Sequence, residues 1–235
     1  MADEMRAALL RGLERLDLPL PEQTADRLTA FGEAVLAENR VMNLTAITDP
    51  ADAAELHLVD SLTLLKVLPL AGKSLLDVGT GAGFPGVPLK LAEPTVRLTL
   101  LDSLQKRMRW LEQDALPALG VEAECLAGRA EEYAAQRREQ FDVVTSRAVA
   151  RLNLLCELCL PFVRVGGDFL AMKGSQAEEE LAEAASAIRT LGGACERTET
   201  FEIGGAVHSV LVIRKIAPTP PQYPRAWSRI KQKPL

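Results

Sequence analysis

The sequence is poor in the residue types that mark several common classes of protein. Its 235 residues include four cysteines and two histidines, and aromatic residues make up 4% of the chain. Four cysteines at this length do not resemble a disulfide framework, and we expect a reducing, cytoplasmic setting. Cys156 and Cys159 form an isolated C-x-x-C pair within an apolar run, where core packing is a commoner role than metal binding. We therefore expect no metal site.

Long apolar runs are also missing. No run reaches the roughly 18 uninterrupted apolar residues that a membrane span requires, and the N-terminus lacks the apolar segment of a signal peptide. With 48% hydrophobic residues, the chain is long enough for one sizeable core and a small extension. We expect a cytoplasmic protein that has no membrane partner.

Acidic residues are absent from the end of the chain. The formal net charge is −5, yet residues 203–235 contain no Asp or Glu. The basic residues of this segment are Arg214, Lys215, Arg225, Arg229, Lys231 and Lys233. Tyr223 and Trp227 lie between them, and interleaved cations and aromatics suit contacts with the phosphates and bases of RNA. A solvated tail is an equally good interpretation of this segment taken alone.

Hydrophobic periodicity predicts helices first and then an alternating pattern. Residues 3–38 have the spacing of two short amphipathic helices, broken at residues 18–21, and a third helix is predicted over residues 52–68. Strands are then predicted at 74–78, 96–101, 122–126, 141–146 and 167–172, with helices at 85–92, 104–119, 152–160 and 176–191. This alternation predicts an α/β fold, a doubly wound and mostly parallel sheet.

The last two predicted strands have a different connection. Residues 194–202 and 207–215 are separated by a glycine-containing turn, which predicts a terminal antiparallel hairpin. The periodicity changes near residues 70–73. We expect an N-terminal helical extension (1–72), a core domain (73–216) and a basic C-terminal tail (217–235).

A glycine-rich turn follows the first predicted strand, in the sequence SLLDVGTGAGFPG of residues 74–86. Glycines 79, 81 and 83 let the backbone approach a ligand closely. The turn satisfies the G-x-G-x-x-G pattern of dinucleotide-binding folds, so an NAD-dependent oxidoreductase is one interpretation. Asp77 favours S-adenosylmethionine instead, because a carboxylate attracts the cationic end of that cofactor and would repel a pyrophosphate. Pro85 removes a backbone donor at the start of the helix, which also favours a cofactor without phosphates. This second argument counts less, because proline is common at the first position of a helix for structural reasons.

Two further acids follow the next strands. Asp102 ends the second predicted strand, where an acid accepts hydrogen bonds from the ribose hydroxyls of either cofactor. An N-cap role for Asp102 or Ser103, at the helix beginning at Leu104, is the alternative, and the two roles can be divided between these residues. Glu131 follows the third strand, where such folds place adenine; a helix first-turn acid is the alternative.

Together with other short motifs, these residues resemble one enzyme family. The motifs are NLTAI (43–47), HLVDS (57–61), DVGTGAGFPG (77–86), LDSL (101–104), RAE (129–131), TSRAVA (145–150) and MKG (172–174). In this order they resemble the 16S ribosomal RNA guanine-N7 methyltransferase G family, also called the glucose-inhibited division protein B family. The resemblance runs from about residue 30 to 215. The tail departs from it, because Ala226-Trp-Ser228 stands where many relatives have a denser Lys/Arg run.

The resemblance implies a class I fold that binds S-adenosylmethionine. The implied cofactor contacts are Gly79, Phe84, Ala130, Glu131 and Arg147. Asp77, Gly81 and Asp102 are our additions, from their positions in the glycine turn and at a strand end.

The resemblance also implies a reaction and a partner. The substrate is a guanosine in a conserved loop of 16S ribosomal RNA, within the small ribosomal subunit, and we expect the protein to act as a monomer. Guanine N7 has a lone pair and no proton, so we expect no general base and direct in-line attack on the methyl group. Candidate RNA contacts are Lys173, Arg225, Arg229, Lys231 and Lys233. His57 is a further candidate for lining the site. A module that binds cofactor or RNA without catalysis is the third interpretation.

Overall fold

The computed structural model describes residues 2–147 and 149–235; Met1 and Ala148, the latter part of the TSRAVA motif, lie outside the described residues. The chain begins with helices α1 (Ala2–Arg15) and α2 (Glu22–Met42), interrupted as predicted by the proline-containing segment between them. The third helical region consists of α3 (Pro50–Ala53), a π-helical segment (Ala54–Val59), α4 (Asp60–Leu62) and α5 (Leu64–Val67). It begins at Pro50 because the Asp49 carboxylate accepts hydrogen bonds from the N–H groups of Ala51 and Asp52.

A single seven-stranded sheet organises the described part of the chain. Its strands are β1 (Ser74–Val78), β2 (Arg97–Asp102), β3 (Glu124–Ala127), β4 (Phe141–Arg147), β5 (Val163–Lys173), β6 (Gly193–Ile203) and β7 (Ala206–Lys215). Their order is β3-β2-β1-β4-β5-β7-β6. Strands β1 to β5 pair in parallel, whereas β7 pairs antiparallel with both β5 and β6. The predicted mostly parallel sheet with a terminal antiparallel hairpin is confirmed.

Strand β5 begins at Val163 rather than at residue 167. Val163 pairs with Phe141, and the register shifts before Val143 pairs with Asp168. Gly166, with φ +80°, lies within this irregular part of β5. A glycine in the left-handed region lets the strand continue through a bulge. Because residues 164–167 include an arginine and two glycines, the apolar pattern alone does not predict this first part of the strand.

The remaining helices join or flank the strands. They are α6 (Gly86–Ala92), α7 (Gln105–Trp110), α8 (Leu116–Ala118), α9 (Ala130–Gln136), α10 (Leu152–Cys159), α11 (Ala177–Thr190) and α12 (Trp227–Gln232). A π-helical segment, Leu111–Ala115, connects α7 to α8, so the helix predicted over residues 104–119 is continuous in space but not in its hydrogen-bond pattern. None of the helices in the described residues is long and apolar enough to cross a membrane.

Apolar side chains cover the sheet on both faces. Leu75 belongs to a cluster that includes the N-terminal helices, whereas its neighbour Leu76 belongs to a cluster on the other face. Val143 and Val144 divide in the same way. This alternation follows from the two-residue period of a strand, and coverage on both faces is typical of a parallel sheet.

Candidate cofactor and acceptor sites

The glycine turn lies between β1 and α6, at the carboxyl end of the parallel strands, where open α/β sheets bind ligands. Gly79, Gly81 and Gly83 have φ values of +73°, +59° and +100°, a region that glycine enters without a steric penalty. A Cβ atom on Gly79 would lie 2.3 Å from Cγ2 of Val149. A side chain at position 79 would therefore force the turn or the partly exposed Val149 side chain to move.

The N–H groups of this turn are directed into the protein. Gly79 and Thr80 donate to the carbonyl oxygen of Leu101 at 2.7 and 3.1 Å, and Gly81 donates to Asp102 Oδ2 at 2.9 Å. Further along, the N–H groups of Gly83 and Phe84 donate to Thr80 O, and that of Gly86 donates to Asp77 Oδ2. A pyrophosphate needs free N–H groups at such a turn. With these donors already bonded, the turn is poorly suited to a dinucleotide.

Asp77 supports the turn from behind. Its side chain is fully buried, and Oδ2 accepts hydrogen bonds from Thr80 Oγ1 at 2.7 Å and Gly86 N at 2.9 Å. Oδ1 is buried without a hydrogen-bond partner. Burial raises the pKa of Asp77 to about 6, against the opposing effect of the Thr80 and Gly86 hydrogen bonds. Asp77 does not line the adjoining cavity, so its direct contact with a cofactor stays a prediction.

A cavity of about 370 Å³ opens beside the turn, and we call it the first cavity. Five of the predicted cofactor contacts line it: Gly79, Asp102, Ala130, Glu131 and Arg147. Gly81 and Phe84 are not among its lining residues, and their cofactor contacts, like that of Asp77, stay predictions. These five residues come from four separate segments of the sequence, and the sheet brings the four segments together at one edge.

Asp102 connects two of these segments. Its Oδ2 accepts the N–H of Gly81, and its Oδ1 accepts the N–H of Leu104 at 2.8 Å. The residue is 8% exposed and lines the first cavity. Helix α7 begins with Leu104 at the N-cap position and has no side-chain cap. The N-cap role considered for Asp102 or Ser103 is therefore not present, since Asp102 holds the loop before the helix instead.

Glu131 and Arg129 form another wall of the first cavity. Glu131 lies in the first turn of α9, and its carboxylate accepts a hydrogen bond from Arg129 Nε at 2.5 Å. The Arg129 guanidinium lies 5.5 Å from the ring centroid of Trp227. Trp227 also lines this cavity. The sequence drew attention to Trp227 only as an aromatic residue in a basic tail, because no local pattern shows that the tail returns to this edge of the sheet.

Arg147, the last residue of β4, is held by the third helical region, residues 50–67. Its Nη1 donates to Asp60 Oδ2 and to Leu56 O, each at 2.9 Å. Its Nη2 is 3.2 Å from His57 Nδ1. The guanidinium lies 5.3 Å from the centroid of the buried Phe84 ring. Phe84 thus lies against Arg147, away from the first cavity.

His57 is a neutral member of this group. Its ring stacks on Phe84 with centroids 4.8 Å apart, and Nε2 is 2.8 Å from Thr45 Oγ1. Burial and then the charge of Arg147 lower the pKa of His57 to about 4. Because a guanidinium only donates hydrogen bonds, Nδ1 is the acceptor and we infer that Nε2 carries the proton. Both ring nitrogens are therefore occupied.

Asp60 joins Arg147 to the second histidine. His208 Nδ1 lies 2.8 Å from Asp60 Oδ1, and this hydrogen bond raises the pKa of His208. Burial alone would raise the pKa of Asp60, but the bond to His208 and the charge of Arg147 outweigh it and lower that pKa. Asp60, Arg147 and His208 thus form a hydrogen-bonded network. Asp60 and His208 were not site candidates, because their meeting depends on the packing of β7 against the helical region.

A second cavity, of about 660 Å³, lies next to the first and shares Arg147 and Val149 with it. His57, Asp60, Lys173 and His208 also line it. It lies over the ends of β4 and β5 and the beginning of β7. Two neighbouring cavities that meet at one arginine can hold two reactants side by side.

Two of the predicted RNA contacts form ion pairs within the protein. Lys173 has a 7% exposed side chain and is bonded to Ala150 O at 2.6 Å and Glu180 at 2.8 Å. Arg225 binds fully buried Glu157 through two nitrogens, Nη2 at 2.6 Å and Nε at 2.8 Å. A buried carboxylate needs such a partner, so each of these two cations is already paired within the protein, and their contacts with RNA stay predictions. Arg229, Lys231 and Lys233 are exposed.

Comparisons with known proteins agree with this geometry. The family described as rRNA small subunit methyltransferase G matches residues 24–208. A ribosomal RNA small subunit methyltransferase G of Clostridium kluyveri is 43% identical over 223 residues, covering 94% of each chain. One of Alkaliphilus oremlandii is 41% identical over 238 residues, covering 99% of each chain.

A solved structure shares the fold at low sequence identity. The antibiotic-resistance methyltransferase Kmr aligns with a TM-score of 0.52 at 19% identity, covering 68% of this chain and 94% of Kmr. The resemblance and the predicted class I methyltransferase fold are both confirmed, and the chain belongs to the rRNA small subunit methyltransferase G family.

Proposed function

We propose that this protein transfers a methyl group from S-adenosylmethionine to N7 of a guanine in 16S ribosomal RNA. The observation that carries the proposal is the pair of adjoining cavities at the carboxyl edge of the sheet. The first combines acidic residues with a glycine turn whose N–H groups at Gly79, Thr80 and Gly81 are already hydrogen-bonded within the protein, and the second meets it at Arg147. Membership of the family supplies the reaction and the class of substrate.

The residues of the first cavity fit S-adenosylmethionine better than a dinucleotide. Gly79 allows close approach, and Asp102 and Glu131 place carboxylates where ribose hydroxyls would be bound. The unsatisfied Oδ1 of buried Asp77 lies behind the same turn and favours a positively charged neighbour. When bound, S-adenosylmethionine supplies an electrophilic methyl group on its sulfonium. Ala130 and Arg147 complete the set of residues that would hold it.

The second cavity is the proposed place for the guanine. Its volume of about 660 Å³ lies in the range of small-molecule pockets. N7 faces the deep, narrow groove of an RNA duplex, so the base must be unpaired or turned out of its stack to enter. The exposed Arg229, Lys231 and Lys233 are the proposed phosphate contacts, and the proposed substrate is the small-subunit RNA, met by the protein as a cytoplasmic monomer.

The side chains around this cavity orient the reactants rather than remove a proton. The lone pair of N7 carries no proton, and His57 is neutral with both ring nitrogens hydrogen-bonded. Arg147 is fixed by Asp60 and Leu56 at the boundary of the two cavities. We propose that fixed positioning and water exclusion there lower the barrier for in-line attack. In this account residues 1–72 are a helical extension that completes the site on the core domain, residues 73–216.

Calorimetric titration distinguishes the proposed cofactor from the dinucleotide alternative. We expect S-adenosylhomocysteine, the product form of the cofactor, to bind in the micromolar range and NAD to show no saturable heat. Saturable binding of NAD, without binding of S-adenosylhomocysteine, would support the oxidoreductase interpretation and refute the proposal.

A further inference from the structure

The C-terminal tail, residues 217–235, is docked against the core rather than free. Arg138 donates hydrogen bonds to the carbonyl oxygens of Thr219, Pro220 and Tyr223 at 2.6 to 2.9 Å. Beyond them, Arg225 pairs with buried Glu157. The tail therefore follows a defined path across the protein to α12.

Two apolar residues of α12 differ in how deeply they are buried. Ile230 is fully buried in the apolar cluster behind the sheet. Trp227, three positions earlier, is half-buried and lines the first cavity. Trp227 also packs against the edge of this cluster, but Ile230 and Arg225 already fix this part of the chain, so the part of the ring that faces the first cavity is not needed as the main anchor.

Trp227 gives the first cavity a flat apolar surface. Among the described residues that line this cavity, it is the one aromatic side chain. Gly128, Ala130 and the Arg129–Glu131 pair, at and just before the start of α9, line the same cavity. The guanidinium over its ring restricts the ring through a cation–π contact. An ordered indole next to small residues is suited to pack against the face of a purine.

We propose that Trp227 forms the adenine-binding wall of the cofactor site, so that the C-terminal tail is a part of that site. This inference rests on the proposed function, which places S-adenosylmethionine in the first cavity. It also gives a role to Trp227 within Ala226-Trp-Ser228, the segment that stands where many relatives have a denser Lys/Arg run. Stacking of a base on an aromatic residue strengthens binding, and loss of the ring weakens it by about tenfold or more.

A fluorescence titration tests this contact with the tail intact. The chain has two tryptophans, and Trp110 is buried in the other apolar cluster. In Trp110→Phe, the emission reports on Trp227 alone. We expect S-adenosylhomocysteine to quench or shift this emission in a saturable way, with the dissociation constant that calorimetry gives for the wild type. Binding that leaves the emission unchanged would overturn the proposal.

Substitutions provide the second arm. We expect Trp227→Ala to raise the dissociation constant for S-adenosylhomocysteine about tenfold and Trp227→Phe to recover much of the affinity. Trp110→Phe is the matched control, which should bind as the wild type does. Unchanged affinity in Trp227→Ala would overturn the proposal, and weaker binding of 16S RNA by the same variant would then favour base stacking by the tail. If the wild type does not bind S-adenosylhomocysteine, the proposed function fails together with this inference. If the wild type binds and Trp227→Ala binds equally well, this inference alone fails.

Discussion

Replacing Gly79 with alanine tests the close approach on which the cofactor site depends. The new Cβ would be 2.3 Å from Val149 Cγ2, whereas ordinary contacts of this kind are 3.4 to 4 Å. The turn or Val149 must therefore move by at least about 1 Å. A displacement of this size can cost on the order of a hundredfold in the rate of the catalysed reaction. Because Gly79 also lines the cofactor cavity, we expect Gly79→Ala to weaken binding of S-adenosylhomocysteine about tenfold, or about 1.4 kcal/mol.

Gly72 provides a matched control for backbone strain. Its φ of +70° is close to the +73° of Gly79, but an added Cβ has no atom within 4 Å. Gly72→Ala should lose about 1–2 kcal/mol of stability from the left-handed conformation alone, or about 2–8 °C in Tm at this chain length. Its affinity for S-adenosylhomocysteine should equal that of the wild type.

A double variant identifies the atom responsible. Val149→Ala removes the γ carbons that the new Cβ would strike, so Gly79→Ala with Val149→Ala should bind more tightly than Gly79→Ala alone. Calorimetry on the four proteins of this cycle measures the coupling. Wild-type affinity in Gly79→Ala, or no recovery in the double variant, would refute the steric reasoning.

Three further predictions concern charges in and around the site. Asp77→Asn should weaken binding of S-adenosylhomocysteine, measured by calorimetry, because it removes the negative charge behind the glycine turn. It should not lower Tm at pH 7, because burial already disfavours that charge and raises the pKa of Asp77 to about 6. Equal affinity would show that the charge is not used. Replacing Arg229, Lys231 and Lys233 with alanine should make the logarithmic salt dependence of RNA binding shallower by up to about 2, and an unchanged slope would make them solvated residues. The raised pKa of His208 means that its bond with Asp60 stabilises the fold fully below pH 6.5 and less as pH rises through the folded-state pKa. The Tm difference between wild type and His208→Gln should thus be larger at pH 6 than at pH 9, and a constant difference would contradict the assignment.

Local patterns were sufficient for the strands and for the edge of the sheet that carries the site. Leu75, Leu76 and Val78 make residues 74–78 a mostly apolar run because β1 is covered on both faces. The acids Asp77 and Asp102 mark strand ends by position alone. The order of parallel strands then brings Gly79, Asp102 and Arg147 to one cavity. Those inferences need only the period of the strands and the rule for open α/β sheets.

The remaining features depend on contacts between distant segments. Arg225 reads as a surface cation in the sequence, and only the buried Glu157 on α10 shows that it is a structural ion pair. His208 lies on a hairpin strand, and its bond to Asp60 depends on how that hairpin packs against the helical region. Trp227 reaches the first cavity because the tail returns across the core. Neither periodicity nor motif spacing contains this information.

Methyl transfer to the proposed substrate is the most direct test of the account. The protein is incubated with S-adenosylmethionine carrying a tritiated methyl group and with small-subunit RNA or subunits that lack this modification, and the modified base is then identified and mapped. We predict stoichiometric label in 7-methylguanosine at one guanosine of the 16S RNA. A protein that binds S-adenosylhomocysteine but transfers no label, or that labels a different atom or base, would contradict the account.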